Sequence, residues 1–367
     1  MKQTYDVVVI GGGTFGLFAC LTLAASGKTV VLIDRGAIWS EASAVNAGSL
    51  AVQNKLPALV PYTLWALDIW RTLQDRLGAQ IGLRHTGGYK VALSEDEAQR
   101  LEQVAREQEE KGLSVSRLDR QALRTQASWI SAEVVAATYS TQDSFASPTR
   151  LGPVLRIAVE KAGVHIVEHA EVTGVRARDL CVETTRGPFY GRSIAITSGA
   201  WSAQIAAMLG NDLPILLDVN MVSVTEPAPR TIPQIVTHAR GVLTLKQVSN
   251  GSCLIGGGWQ GIGTLADRLK NVDYDQLIHN LRLAARVIPG LAPLNILRSW
   301  AGYEGVTPDS LPYLGRLPGH SDIYIAACAR GGFTLGPLMG QLLGEFIATG
   351  TTSRPIDLFN PGRFTHV

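Results

Sequence analysis

The sequence has little net charge, few cysteines and no long apolar run, and each shortage removes a class of function. Its 33 Lys and Arg against 31 Asp and Glu leave a formal charge of +2, with no block of like charge. That balance argues against a nucleic-acid partner or a membrane surface. The cysteines are 4, Cys20, Cys181, Cys253 and Cys328, and no two form a C-x-x-C pair. Neither a zinc site nor an iron–sulfur site is written here, and no metal site is expected. The thiols read as small buried hydrophobes in a reducing compartment. No apolar run reaches the ~20 residues that span a bilayer. The chain enters a strand by Tyr5 with no secretory leader before it, so a cytoplasmic protein is expected. Low-complexity tracts and internal repeats are lacking too. The 7 histidines are scattered and build no triad with a serine and an acid.

Apolar residues and glycine are plentiful. Hydrophobic residues make up 46% of 367, enough to bury sizeable cores in two lobes. The 38 glycines imply tight turns and close backbone approaches to a ligand. Val7–Ile10 is a short continuous apolar run, as in a parallel strand covered on both faces. Gly11, Gly13 and Gly16 follow at G-x-G-x-x-G spacing. The spacing predicts a helix from Thr14 to Ser26 ended by Gly27, then a strand from Thr29 to Ile33 tipped by Asp34. In such a unit Gly11 permits the turn, Gly13 admits a pyrophosphate and Gly16 lets helix and strand pack. The helix N-terminus offers donors to phosphate, and Asp34 is placed to accept from ribose hydroxyls. Gly256, Gly258 and Gly261 match the same spacing, but no acid-tipped strand follows them. That copy reads as a glycine-rich strand and turn.

The segment Ser43-Ala44-Val45-Asn46-Ala47-Gly48 is rich in small residues. It resembles the loop that lies over the flavin in D-amino-acid-oxidase-type flavoenzymes. Three later segments match that family in order: Thr197-Ser198-Gly199-Ala200-Trp201-Ser202, Trp300-Ala301-Gly302-Tyr303 with Thr307-Pro308-Asp309, and Arg330-Gly331-Gly332-Phe333-Thr334. The likeness covers nearly the whole chain. It is nearest to the β subunits of heteromeric opine and sarcosine oxidases, with glycine oxidase also related.

The resemblance implies an α/β plus α+β fold. A discontinuous Rossmann-like FAD-binding lobe (1–85, 145–219 and 298–367) would carry a substrate lobe on an antiparallel sheet (86–144 and 220–297). It implies non-covalent FAD, held at Gly11, Gly13, Thr14, Phe15, Gly16, Asp34, Arg35, Ser43, Asn46, Ala47, Gly48, Val172, Gly199, Trp201, Gly331, Gly332, Phe333 and Thr334. A C-terminal helix from Leu335, with Pro337 in its first turn, would aim its N-terminus at the flavin and stabilise reduced charge there. It implies oxidation of the C–N bond of a small amine by hydride transfer to flavin N5. In the β role the chain would join an α subunit and a small iron–sulfur subunit, with FMN at an interface, although none of these is written in this chain.

Four residues are candidates for the substrate site. Arg330 matches the arginine that meets the substrate carboxylate in glycine-oxidase-like members, and a guanidinium gives bidentate recognition. The alternative is a structural ion pair or an FAD contact. Glu304 departs from the family, standing where many relatives have an arginine. It fits glycine or a D-amino acid poorly. It suits a substrate with a cationic far end, such as an arginine-derived opine, or a position facing water or a partner chain. Tyr303 would line the site, and Lys246 would lie above the flavin. Trp259 walls the pocket or packs. The helix opened by the capping box Ser94-Glu95-Asp96-Glu97 reads as solvated. A stand-alone glycine or D-amino-acid oxidase and a flavin protein that only relays electrons remain the other readings.

Overall fold

The structure, a computed structural model, describes residues 3–328 and 330–364. Strand β1 (Thr4–Ile10), helix α1 (Thr14–Ala25) and strand β2 (Val30–Ile33) open the chain. Val7 and Val9 enter one core cluster, while Val8 and Ile10 enter another on the opposite face. Each fully buried Val or Ile is worth about 1.5–3 kcal/mol, so this run fixes β1 at the centre of its sheet. The sheet is 8-stranded, and its main path runs Tyr313–Arg316, Ile323–Ala327, Gly187–Ile196, β1, β2, His165–Val167. Pairing is parallel from Ile323–Ala327 through to His165–Val167. The chain leaves β1 towards β2 on one side and comes back at Gly187–Ile196 on the other. A crevice therefore opens beyond the C-terminal ends of these two strands, the switch point where such sheets bind ligands.

Helix α1, the helix Val60–Leu77, the helix Pro148–Lys161 and the C-terminal helix Gly332–Thr349 cover one face of this sheet. The C-terminal helix starts three residues earlier than the sequence predicts. Pro337 thus falls in its second turn, where its ring removes one backbone donor.

The second sheet is also 8-stranded, in the order Ile296–Val306, Leu216–Thr225, Cys253–Gly256, Thr244–Gln247, Ile235–His238, Gly88–Ala92, Ala136–Ser140, Ser116–Asp119. It is not wholly antiparallel. Ile235–His238 pairs parallel with Gly88–Ala92, where the two sequence inserts meet, and every other pairing in it is antiparallel. These two strands belong to separate stretches of chain with no hairpin between them, so a parallel join is open to them. The sheet also takes in Leu216–Val219 and Arg298–Val306, which the sequence pattern assigns to the FAD-binding pieces. These strands are long because they form one ladder from Leu216–Val306 to Thr225–Ile296.

The helix Glu95–Glu109 starts as its capping box requires, with Ser94 Oγ accepting from Glu97 N. It is not solvated all round. Glu97, Leu101, Ala105 and Gln108 form a buried stripe. Gln108 Nε2 donates to the carbonyls of Gln53 and Lys55, and Glu97 meets His238 Nε2 at 3.1 Å. No helix among the described residues is long and apolar enough to cross a membrane.

Candidate active site

A cavity of about 500 Å³ opens at the switch point and continues under the second sheet. Its first end is built mostly from backbone. Gly11 sits at φ +107, and a Cβ there would come 2.6 Å from Thr197 O. Thr197 Oγ1 donates to Ile10 O and Gly11 O, which ties the two strand ends together. Gly16 does not line the cavity; a Cβ on it would fall 2.0 Å from Gly11 O, so it serves by letting α1 approach the turn. No side chain caps α1 at Gly13. Asp34 Oδ2 accepts from Gly12 N at 2.7 Å and Oδ1 from Gly36 N at 2.9 Å. Burial raises the Asp34 pKa, and these two N–H donors act against that rise.

The 43–48 loop closes over this end. Ser43 Oγ accepts from Thr14 N and Thr14 Oγ1, both at 2.8 Å. Asn46 Oδ1 accepts from Gly48 N, while its amide donates to Ala42 O and Ser43 O. Arg35 lies 3.7 Å over the Trp201 ring and pairs with Glu41. Phe15, Ala47, Val172, Gly199, Gly332 and Phe333 border the same cavity. Thr334 does not: its hydroxyl donates to Ser49 O inside the protein.

Two ion pairs that no motif announces tie the 264–271 segment to this end. Lys270 pairs with Glu41 at 2.6 Å and Arg268 with Glu171 at 2.7 Å. The partners lie far apart in sequence, so no spacing links them. The second glycine run also contributes more than its flanks suggest. Gly256, Gly257 and Gly258 line the cavity, because the strand Cys253–Gly256 ends at its wall.

The other end is polar and buried. Glu304 lies opposite Asp218 in the ladder between Leu216–Thr225 and Ile296–Val306. It points inward, away from bulk water. Its Oε1 accepts from Gly331 N at 2.9 Å and its Oε2 from Asn220 Nδ2 at 2.5 Å, and burial raises its pKa. Both oxygens are thus engaged by the chain itself, which removes the case for a substrate cation at this position. Arg330 stands half-exposed at the rim and pairs with Asp218.

Lys55, which carries no motif, takes the opposite side of the same turn. Its Nζ donates to Gly331 O at 3.0 Å. Gly331 sits at φ +70, and a Cβ there would fall 1.9 Å from Lys55 Nζ, so only glycine fits. Burial lowers the Lys55 pKa to about 8, against the pull of Glu304 and Asp143. Lys90 lines the cavity as well, donates to Gln53 O at 2.8 Å, and is lowered by burial to about 8. Asp143 accepts from Val52 N at 2.7 Å and Gln53 Nε2 at 2.9 Å, and burial pushes its pKa up to about 6.

Three further expectations are corrected. Lys246 does not line the cavity; it is buried behind it, with Nζ 2.7 Å from Ser49 Oγ. Tyr303 borders the cavity, but its hydroxyl is turned to the carbonyls of Thr264 and Leu269, and its ring packs with Val219, Met221 and Ala301. Trp259 packs instead of walling the cavity, donating to Val242 O and stacking on His279.

The cradle of Gly11, Gly13 and the α1 N-terminus, with Asp34 at the tip of β2, fits an adenine dinucleotide. Known proteins of similar sequence and shape point the same way. Glycine oxidase of Geobacillus kaustophilus (strain HTA426) is 29% identical over 364 residues, covering 96% of this chain and 95% of that one. A crystal structure of glycine oxidase from Geobacillus kaustophilus superposes with a TM-score of 0.88 at 26% identity, covering 99% of both chains. An opine oxidase chain of Rhizobium meliloti is 26% identical, with 98% and 97% covered. The β chain of sarcosine oxidase from Rhizobium meliloti (strain 1021) is 26% identical, with 99% and 89% covered. The profile of the FAD dependent oxidoreductase family, DAO, matches residues 6–346, and the chain belongs to that family of enzymes.

Proposed function

We propose that this enzyme oxidises the C–N bond of a secondary amino acid. The observation that carries the reading is the continuity of the cavity, which joins the dinucleotide cradle to the polar end around Glu304 and Arg330. FAD, when bound, supplies the two-electron acceptor, taking a hydride from the substrate carbon at flavin N5. The residues of this chain do the rest. Gly11, Gly13 and the N-terminus of α1 hold the pyrophosphate, and Asp34 holds a ribose. Arg330 exchanges its Asp218 partner for a substrate carboxylate, a swap between like groups that costs little at a half-exposed rim. Glu304 and Lys55 hold the Gly331 peptide from both sides. They fix the start of the helix Gly332–Thr349, whose positive end favours negative charge in the cavity.

The likeness to the opine oxidase and sarcosine oxidase chains supports a secondary amine. It also supports the catalytic β role in a heteromeric complex, with an α subunit, a small iron–sulfur subunit and FMN at an interface. The likeness to glycine oxidase favours the stand-alone oxidase as the second reading. Anaerobic bleaching of the bound flavin by opines, sarcosine, proline, glycine and D-alanine separates them. We expect secondary amino acids to bleach it. Rapid bleaching by glycine or D-alanine and none by secondary amines would overturn the proposal, and copurification from the native host reports on the partner chains.

A further inference from the structure

Three lysines are buried on or beside the polar end of the cavity: Lys55 and Lys90 are 8% exposed and Lys246 is 1%. An ammonium has three donors, and each of these spends one on a neutral oxygen: Gly331 O, Gln53 O and Ser49 Oγ respectively. Among the described residues none of them closes an ion pair with a carboxylate. That is an unusual arrangement, because a buried charge is ordinarily paired. Two buried carboxylates, Asp143 and Glu304, act on this region from a distance, and both are already hydrogen-bonded to amide donors. Lys55 and Lys90 both line the cavity.

The second sheet shows the same polarity. Lys90 pairs with Thr237 in register, and Thr237 with Thr244, so these residues share one face. Lys90 and Thr244 line the cavity. Asp218 and Glu304 stand at the opposite edge of that sheet, beside Arg330. A ligand lying along the sheet therefore meets a guanidinium at one end and two ammoniums at the other.

We propose that Lys55 and Lys90 form a second carboxylate-binding subsite, so that the substrate is a secondary amine bearing a carboxylate on each arm. This rests on the amine-oxidase reading above and adds to it. Arg330 takes one carboxylate, Lys55 and Lys90 take the other, and the amine lies between them. The second carboxylate supplies the ion-pair partners that the two ammoniums lack in the chain itself.

The test uses the purified holoprotein and two pairs of probes. Glutarate and butyrate match iminodiacetate and sarcosine in shape but have no amine to oxidise. Their dissociation constants are read from the perturbation of the bound-flavin spectrum. Glutarate is expected to bind at least about tenfold tighter than butyrate, the gain of one charge-assisted contact. Lys90→Met should bring that ratio to about one, and Lys90→Arg should restore part of it. Should Lys90→Met fail to fold, the wild-type preference measured against pH replaces it, falling as the pH rises through about 8. Equal affinities for the two acids in the wild type, or equal weakening of both by Lys90→Met, would overturn the inference. Iminodiacetate and sarcosine then report on the underlying reading. A flavin bleached by sarcosine with no glutarate preference sinks the subsite alone. A flavin that binds glutarate tightly yet stays oxidised under every amine sinks amine oxidation instead.

Discussion

The two ends of the cavity are made in different ways. At the nucleotide end the ligand surface is backbone: the turn at Gly11, the open start of α1 and the tip of β2, all within residues 7–34. At the polar end it is side chain: Lys55, Lys90, Asn220, Glu304 and Arg330, drawn from five separate stretches of chain. The first end depends on the absence of Cβ atoms, the second on buried hydrogen bonds that must all close together. Damage at the first should therefore act by steric exclusion. Damage at the second should act through unsatisfied polar groups and through pH.

The largest effect is expected from Gly16→Val. Its Cβ would fall 2.0 Å from Gly11 O, a backbone clash that neither α1 nor the turn can relieve separately. The variant should lose its flavin or fail to fold, as read from flavin absorbance after purification, and full flavin content would break the steric contrast at the first end. Glu304→Ala comes next. It leaves Gly331 N and Asn220 Nδ2 without their acceptor, at about 2 kcal/mol for each, or about 4 kcal/mol in denaturant unfolding. Glu304→Gln keeps an acceptor for one donor and should cost about half as much. Equal losses in the two variants would show that the charge, and not the hydrogen bonding, is what matters.

Asp143 gives the pH test. Its folded pKa of about 6 lies above the unfolded value, so its contribution is fully present below the unfolded pKa and is lost as the pH rises through about 6. Stability of the wild type relative to Asp143→Asn should fall by about 3 kcal/mol between about pH 4 and pH 6.5. A flat difference across that window would contradict the buried, desolvated carboxyl. Gly27→Ala should have the smallest effect. Gly27 sits at φ +75 with open space around it, so the change costs about 1 kcal/mol of backbone strain, seen as a small drop in Tm with flavin content unchanged.

The same contrast explains what can be read from the sequence. The nucleotide unit is legible because its geometry is local: an apolar strand, three glycines, a helix and an acid follow one another within about one βαβ unit. Ser43, Asn46 and Gly48 become legible through family resemblance, and they do build the loop against Thr14. The polar end is not legible. Glu304 stands out as a departure, but nothing adjacent to it shows that Gly331 and Asn220 occupy its oxygens. Lys55 lies 276 residues from the carbonyl it meets, and no periodicity marks such a contact. Lys246 is the conspicuous lysine on a strand, yet it is the lysines of the 52–55 loop and of the strand Gly88–Ala92 that reach the cavity. Sheet pairing across long loops decides which lysine faces inward, and that pairing is set by tertiary packing.

The most direct test of amine oxidation at a doubly anchored site is a single anaerobic turnover of the purified holoprotein with iminodiacetate. Two-electron oxidation of its C–N bond, followed by hydrolysis of the imine, yields glycine and glyoxylate. The flavin should bleach, with one equivalent of each product per FAD. A flavin that remains oxidised, with the iminodiacetate recovered intact, would contradict the central claim.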